Sequence, residues 1–185
     1  MNTYKVALIV GSLRQNSLDR KIALSLIQLM PEMLSSAIIE IGDLPFYNED
    51  LEQSPPESWN RFRDELNSSQ AVIFITPEYN RSVPAVLKNA IDVGSRPGGK
   101  SVWNGKPAAV ISTSTGTMGG FGANHHLRQS LVYLNMPTMQ QPEVYIGGAG
   151  KLFDEAGKMT NESTSAFLTA ALVAFGNWTD RILKP

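Results

Sequence analysis

Val6-Ala7-Leu8-Ile9-Val10-Gly11-Ser12-Leu13-Arg14-Gln15-Asn16-Ser17 decides how the rest of the chain reads. The apolar run at its start is long enough for a buried strand. Glycine, serines, an arginine and an asparagine follow, and a helical pattern begins at Leu18. A strand, a tight polar loop and a helix N-terminus in that order make an anion site. Free backbone N–H groups meet the positive end of the helix dipole, and hydroxyls with a guanidinium suit a phosphate.

Working outward, Leu18, Ile22, Leu26, Leu29, Met30 and Met33 recur at helical spacing and predict one apolar face, with Pro31 marking a break before Met33. Asn16 or Ser17 can cap that helix. Ala37-Ile38-Ile39-Glu40-Ile41 predicts a second strand, and Gly42 to Asn48 the loop that leaves it. Ser54-Pro55-Pro56-Glu57 starts a helix that buries Trp59, Phe62 and Leu66. Ala71-Val72-Ile73-Phe74-Ile75 is apolar throughout, as a parallel strand covered on both faces should be.

The loop Thr76-Pro77-Glu78-Tyr79-Asn80-Arg81-Ser82-Val83-Pro84 leads into a helix through Val86, Leu87, Ala90 and Ile91. A fourth strand, Ala108 to Thr113, exits through Ser114-Thr115-Gly116-Thr117-Met118-Gly119-Gly120. Leu127, Leu131 and Leu134 mark the next helix, Val144-Tyr145-Ile146 a fifth strand, and Gly147 to Asn161 a mobile-looking connection. Leu168, Ala171, Leu172, Phe175, Trp178 and Ile182 make a closing amphipathic helix. Strands alternating with helices imply a parallel sheet covered on both faces and linked by right-handed crossovers.

The chain of 185 residues reads as one domain, residues 1–185. A formal net charge of −1 argues against nucleic acid as a partner. With no cysteine, disulfides, thiolate nucleophiles and cysteine-held metals are excluded, and redox chemistry needs a cofactor. The start of the chain shows no basic region followed by a long apolar segment, and no run is long enough for a membrane span. The expected location is therefore cytoplasmic.

In such sheets ligands bind beyond the C-terminal strand ends, where strand order reverses, so the loops after the first, third and fourth strands should converge. The first loop has neither G-x-x-x-x-G-K-[ST] nor G-x-G-x-x-G spacing. Its side-chain donors, Ser12, Arg14, Asn16 and Ser17, instead suit one terminal phosphate, as in a mononucleotide such as FMN. A capped helix start is the plainer alternative.

Pro77-Glu78-Tyr79-Asn80 is either a rigid turn or the wall of a site. Tyr79 offers a flat ring and Asn80 a donor and an acceptor, which suit a heterocycle with an amide edge. Ser114 to Gly120 is either a flexible link or a set of N–H groups for negative charge on a ring carbonyl, with Ser114 its best side-chain candidate. His125 and His126 read as surface or subunit-contact residues, without a metal or nucleophilic partner.

Gly11-Ser12-Leu13-Arg14 with Ser17, Thr76-Pro77-Glu78-Tyr79-Asn80, Ser82-Val83-Pro84 with Leu87-Lys88-Asn89-Ala90-Ile91-Asp92, and Ser114 with Gly119-Gly120 together resemble the NAD(P)H-dependent FMN reductase family. The chromate and quinone reductases are the most similar branch. The resemblance implies an α/β, flavodoxin-like three-layer sandwich with a five-stranded parallel sheet, order 2-1-3-4-5, tightly bound FMN, and a homodimer or homotetramer. It places Ser12, Arg14 and Ser17 on the FMN phosphate, flanked by Asn16 and Leu18. Glu78, Tyr79 and Asn80 line the isoalloxazine, Pro77 is a further cofactor-binding residue of that loop, and Ser114 sits near the ring with Gly116 close by. Arg81 stands where relatives often carry an aromatic residue.

The implied activity is hydride transfer from NADH or NADPH to FMN and two-electron reduction of a small-molecule acceptor. Quinones lead the acceptors, with chromate, azo or nitro compounds and free flavin beside them. No catalytic side chain and no metal are required. Two rivals share the topology. A flavodoxin-like electron carrier would usually show a strongly acidic surface, against a net charge of −1. A phospho-signalling receiver would want acidic residues where Gly11 and Ser12 stand.

Overall fold

The apolar runs of the inner strands can bury both faces only between two layers of helices, and they pair with shorter edge strands into one sheet. The computed structural model describes residues 3–184. The strands are β1 (Tyr4–Val10), β2 (Leu34–Ile39), β3 (Ala71–Pro77), β4 (Ala108–Thr113) and β5 (Val144–Ile146). They alternate with α1 (Leu18–Gln28), α2 (Glu57–Asn67), α3 (Ala85–Ser95), α4 (Phe121–Tyr133) and α5 (Glu162–Leu183). The sheet order is β2-β1-β3-β4-β5 and every pairing is parallel, so the expected fold class and strand order are the observed ones.

The alternation of side chains along each strand sorts the core into two layers. Val6, Leu8 and Val10 of β1 with Ile73 and Ile75 of β3 face Ile22 and Leu26 of α1 and Leu168, Leu172 and Phe175 of α5. Ala7, Ile9, Val72 and Phe74 face the other way. They pack with Trp59 and Phe62 of α2, Leu87 of α3, and Leu127 and Leu131 of α4. Trp103, fully buried, joins this second layer and donates its ring N–H to Ile91 O at 2.9 Å.

Three local expectations change. The second strand is Leu34–Ile39, three residues before its expected start, because Leu34 pairs with Tyr4 at the beginning of β1. Ile41 is buried by packing in the second core layer after the strand has ended, so its burial is not a sign of pairing. The first helix stops at Gln28, capped by Leu29, so Met33 is not on its face. Pro31 O accepts the Leu34 N–H at 2.8 Å in a turn, and Met33 packs instead where Gly176 of α5 leaves room.

The connection from Gly147 to Asn161 is tied down rather than loose. Gly148 N–H donates to Gly116 O and Ala149 N–H to Ser114 O, each at 2.9 Å, and Phe153 pairs with Met159. These bonds fix the β4 exit loop against the end of β5. Among the described residues no helix is long and apolar enough to cross a membrane.

Candidate cofactor site

The ends of β1, β3 and β4 bring three loops to one pocket of about 160 Å³. The first loop and α1 contribute Ser12, Arg14, Leu18 and Asp19 to its lining. Pro77, Glu78 and Tyr79 come from the second, and Thr113, Ser114 and Thr115 from the third. The β2-β1-β3 order makes this the place where the chain reverses its direction of travel across the sheet, as expected for an open α/β sheet. A larger groove of about 540 Å³ beside α5 has no basic residue in its lining.

The first loop is unusually rich in unused donors. Among the described residues, the backbone N–H groups of residues 12 to 16 donate to no protein acceptor, and the Arg14 guanidinium makes no hydrogen bond or ion pair. Gly11 fixes where this run begins: its N–H donates to Ile75 O at 2.8 Å, and a Cβ there would meet Leu87 and Thr76 at 3.2 Å. Ser17 is buried, and its Oγ accepts the Arg20 N–H at 3.2 Å, capping α1. A row of N–H groups, a helix N-terminus and an unpaired cation together attract an oxyanion.

The second loop is shaped by a tight turn. Tyr79 and Ser82 exchange both backbone hydrogen bonds at 2.9 Å, which puts Asn80 at φ 52° and Arg81 at φ 63°. Left-handed backbone is costly for an arginine. The salt bridge from Arg81 Nη1 to Glu78 Oε1, 2.8 Å, braces it. Tyr79 remains half exposed at the pocket mouth.

In the third loop Ser114 Oγ donates to Gly116 O at 2.9 Å. The N–H groups of Thr115 and Gly116 have no protein acceptor among the described residues. Ser112 Oγ, fully buried, donates to Gly119 O at 2.7 Å, and Gly119 and Gly120 take φ of 58° and 75° to bring the chain round into α4. A Cβ on Gly119 would come within 2.8 Å of Tyr145, so this turn needs glycine.

Of the residues expected at the site, Ser12, Arg14, Leu18, Pro77, Glu78, Tyr79 and Ser114 line the pocket together. Asn16, Ser17, Asn80 and Gly116 lie in the same loops but outside that lining. Glu78 turns its carboxylate away to the start of α4, where Oε2 accepts the Ala123 N–H at 3.2 Å. His125 Nε2 is 2.9 Å from the Tyr145 hydroxyl, and His126 Nδ1 is 2.7 Å from Ser82 Oγ; both histidines are exposed and outside the pocket.

Sequence reading missed Asp19, Thr113 and Thr115. Asp19 and Thr113 are buried, and Thr113 Oγ1 donates to Asp19 Oδ1 at 2.7 Å. An acidic residue in a first helical turn reads as a dipole partner, so the usable signal is the threonine that ends an otherwise apolar strand at the expected site.

The sequence pattern described as NADPH-dependent FMN reductase matches residues 4–151. The chain belongs to that family. Within the FMN reductase family it is 60% identical over 176 residues to a quinone reductase from Pseudomonas putida, covering 95% of this chain and 94% of the relative. It is 40% identical over 174 residues to a 2-hydroxy-1,4-benzoquinone reductase from a Burkholderia species, covering 94% of this chain and 95% of that one. Among solved structures, the flavoenzyme FerB, an NAD(P)H:(acceptor) oxidoreductase from Paracoccus denitrificans, superposes with a TM-score of 0.91 at 42% identity. That match covers 97% of this chain and 98% of FerB.

Proposed function

We propose that this chain, acting over residues 1–185 as one FMN-binding domain, is an NAD(P)H:quinone oxidoreductase. The observation that carries the proposal is the run of unused donors, the residue 12–16 N–H groups and Arg14, in a loop whose Ser12 and Arg14 line one pocket with Tyr79 and Ser114. Family membership and the names of the relatives support it. The residues present fit FMN by their own chemistry: a cation and N–H groups for one phosphate, an aromatic face for a ring, and free N–H groups for a ring carbonyl.

In this reading Ser12 and Arg14 hold the phosphate, with Asn16 and Ser17 shaping the loop and Leu18 flanking it. Pro77 and Tyr79 give the isoalloxazine an apolar and aromatic wall, and Glu78 fixes that wall to α4. Asn80 supplies polar groups at the rim. Ser114, with the Thr115 and Gly116 N–H groups, stabilises negative charge on the ring carbonyl side.

Bound FMN supplies the redox chemistry, exchange of two electrons between a nicotinamide and an acceptor. The protein's share is to orient both reactants over one face. Chromate, azo and nitro compounds and free flavin are further acceptors within the proposal.

Self-association as a homodimer or homotetramer is part of the same reading. Val132 and Tyr133 on α4, 76% and 90% exposed, are apolar surface available for it. A cytoplasmic location is also part of the proposal. Steady-state kinetics test the assignment. With FMN-loaded protein, consumption of NADH or NADPH should depend on added benzoquinone and give the parallel lines of a ping-pong mechanism. Consumption that ignores the quinone would overturn the assignment.

A further inference from the structure

The pocket contains a carboxyl that none of the proposed cofactor contacts uses. Asp19, the second residue of α1, is 3% exposed, and Thr113, the last residue of β4, is 2% exposed. Their 2.7 Å hydrogen bond joins residues 94 apart in sequence, and both line the pocket that holds Arg14.

The other charged groups around Asp19 are accounted for. Glu78 is held by Arg81 and the Ala123 N–H. Arg20, next on α1, is paired with Glu40 at 2.7 Å, and Lys21 Nζ lies over the Phe153 ring. Tyr79 is half exposed at the mouth. Among the described residues Arg14 is the only cation lining this pocket, and Asp19 shares it with whatever anion binds there.

Burial pushes the Asp19 carboxyl up from its ordinary value. Hydrogen bonds from Thr113, its own N–H and Ser17, and the charge of Arg14, oppose that. A phosphate beside the same guanidinium adds like-charge repulsion, and two anions in one desolvated site favour protonation of one of them. A protonated carboxyl also becomes a hydrogen-bond donor, which a carboxylate is not.

Resting on the FMN reading above, we propose that Asp19 is a cofactor-positioning residue that takes up one proton from solvent as the flavin phosphate binds. FMN is then held less tightly as pH rises. The proton enters with the phosphate and leaves with it, and no bond of the flavin is made or broken.

The test titrates apoprotein with FMN, and separately with riboflavin, which lacks the phosphate, between about pH 5 and about pH 9. Wild type is compared with Asp19→Asn. Subtracting one profile from the other removes the titration of the phosphate itself, whose second ionisation lies at about pH 6. Asp19→Asn should bind FMN about tenfold more tightly than wild type at the alkaline end, and the two should converge at the acid end. Riboflavin should show no such divergence.

Superimposable FMN profiles, or a divergence that riboflavin shares, overturn the proposal and leave the cofactor site standing. A folded wild-type protein that binds FMN at no pH overturns the site reading instead. Thr113→Val gives a second arm that keeps Asp19. Loss of a hydroxyl donor that favours the carboxylate should move the pH midpoint of wild-type FMN binding upward, and an unmoved midpoint contradicts the proposal. Melting curves of each apoprotein establish that the variants are folded.

Discussion

Glu78 and Ala123, 45 residues apart, are joined by a 3.2 Å hydrogen bond in which the carboxylate accepts a backbone N–H in the first turn of α4. The other carboxylate oxygen takes Arg81 Nη1 at 2.8 Å. Gly120, at the N-cap of α4, offers no side chain, so Glu78 supplies the missing acceptor from another loop. One side chain thus holds the Tyr79 turn and the start of α4 in register. A Cβ on Gly122 would lie 3.0 Å from Glu78 Oε2 and 3.2 Å from Arg81 O, so a larger residue there would press on this carboxylate.

Glu78→Ala should lower the melting temperature by an amount equivalent to about 1 kcal/mol, the usual cost of a lost helix cap. The effect also has a pH signature. Burial pushes the Glu78 carboxyl up, but the Ala123 and Gly122 N–H groups and the Arg81 guanidinium together outweigh it and hold it below its ordinary value. A depressed carboxyl contributes stability above its unfolded value and loses it as pH falls through the folded one. Wild type should lose more stability than Glu78→Gln between about pH 5 and about pH 3. Parallel acid-unfolding curves would contradict this role.

Arg14→Ala should weaken FMN binding by about 1.5 to 3 kcal/mol, the range for a hydrogen bond to a charged group. The melting temperature of the apoprotein should stay where it is, since Arg14 has no partner among the described residues. Fluorescence titration and a melt of the same samples separate the two. Unchanged FMN affinity would remove Arg14 from the phosphate site.

Tyr79→Ala should change FMN affinity or quinone turnover while stability moves by less than about 0.5 kcal/mol, as for other exposed positions. The ring is 49% exposed at the pocket mouth. Tyr79→Phe keeps the flat face and should retain most of the wild-type behaviour. Loss of function in Phe equal to that in Ala would shift the role to the hydroxyl.

The sheet was legible in the sequence because fully buried parallel strands are continuous apolar runs, and β1, β3 and β4 are such runs. The edge strand was not. β2 pairs only with β1 and is half exposed, so Leu34-Ser35-Ser36 carries little apolar signal, whereas Ile41 mimics a strand residue by packing beyond its end.

At the site, loops with special residues announced themselves, as at Arg14 and Tyr79. The Asp19 to Thr113 hydrogen bond did not, since each residue has an ordinary local explanation and only the sheet order brings them together. Glu78 was visible as a loop residue, but its partner on α4 was not.

Gly94→Ala tests the packing of the second core layer. A Cβ at Gly94 would fall 2.6 Å from the Trp103 ring, which is fully buried and held by Ile91 O. The ring cannot move without breaking that bond or disturbing Phe62 and Phe74, its aromatic neighbours. The expected cost is about 1 to 3 kcal/mol by denaturant unfolding. A neutral substitution would mean that the indole can shift freely.

Anaerobic rapid mixing tests the central claim most directly. FMN-loaded protein is mixed with NADH or NADPH, with no other protein present, and then with benzoquinone. The account expects the oxidised-flavin absorbance to bleach with the nicotinamide and to return on addition of one equivalent of quinone per site. Flavin that stays oxidised until a separate reductase is supplied would contradict it and leave the chain an electron carrier.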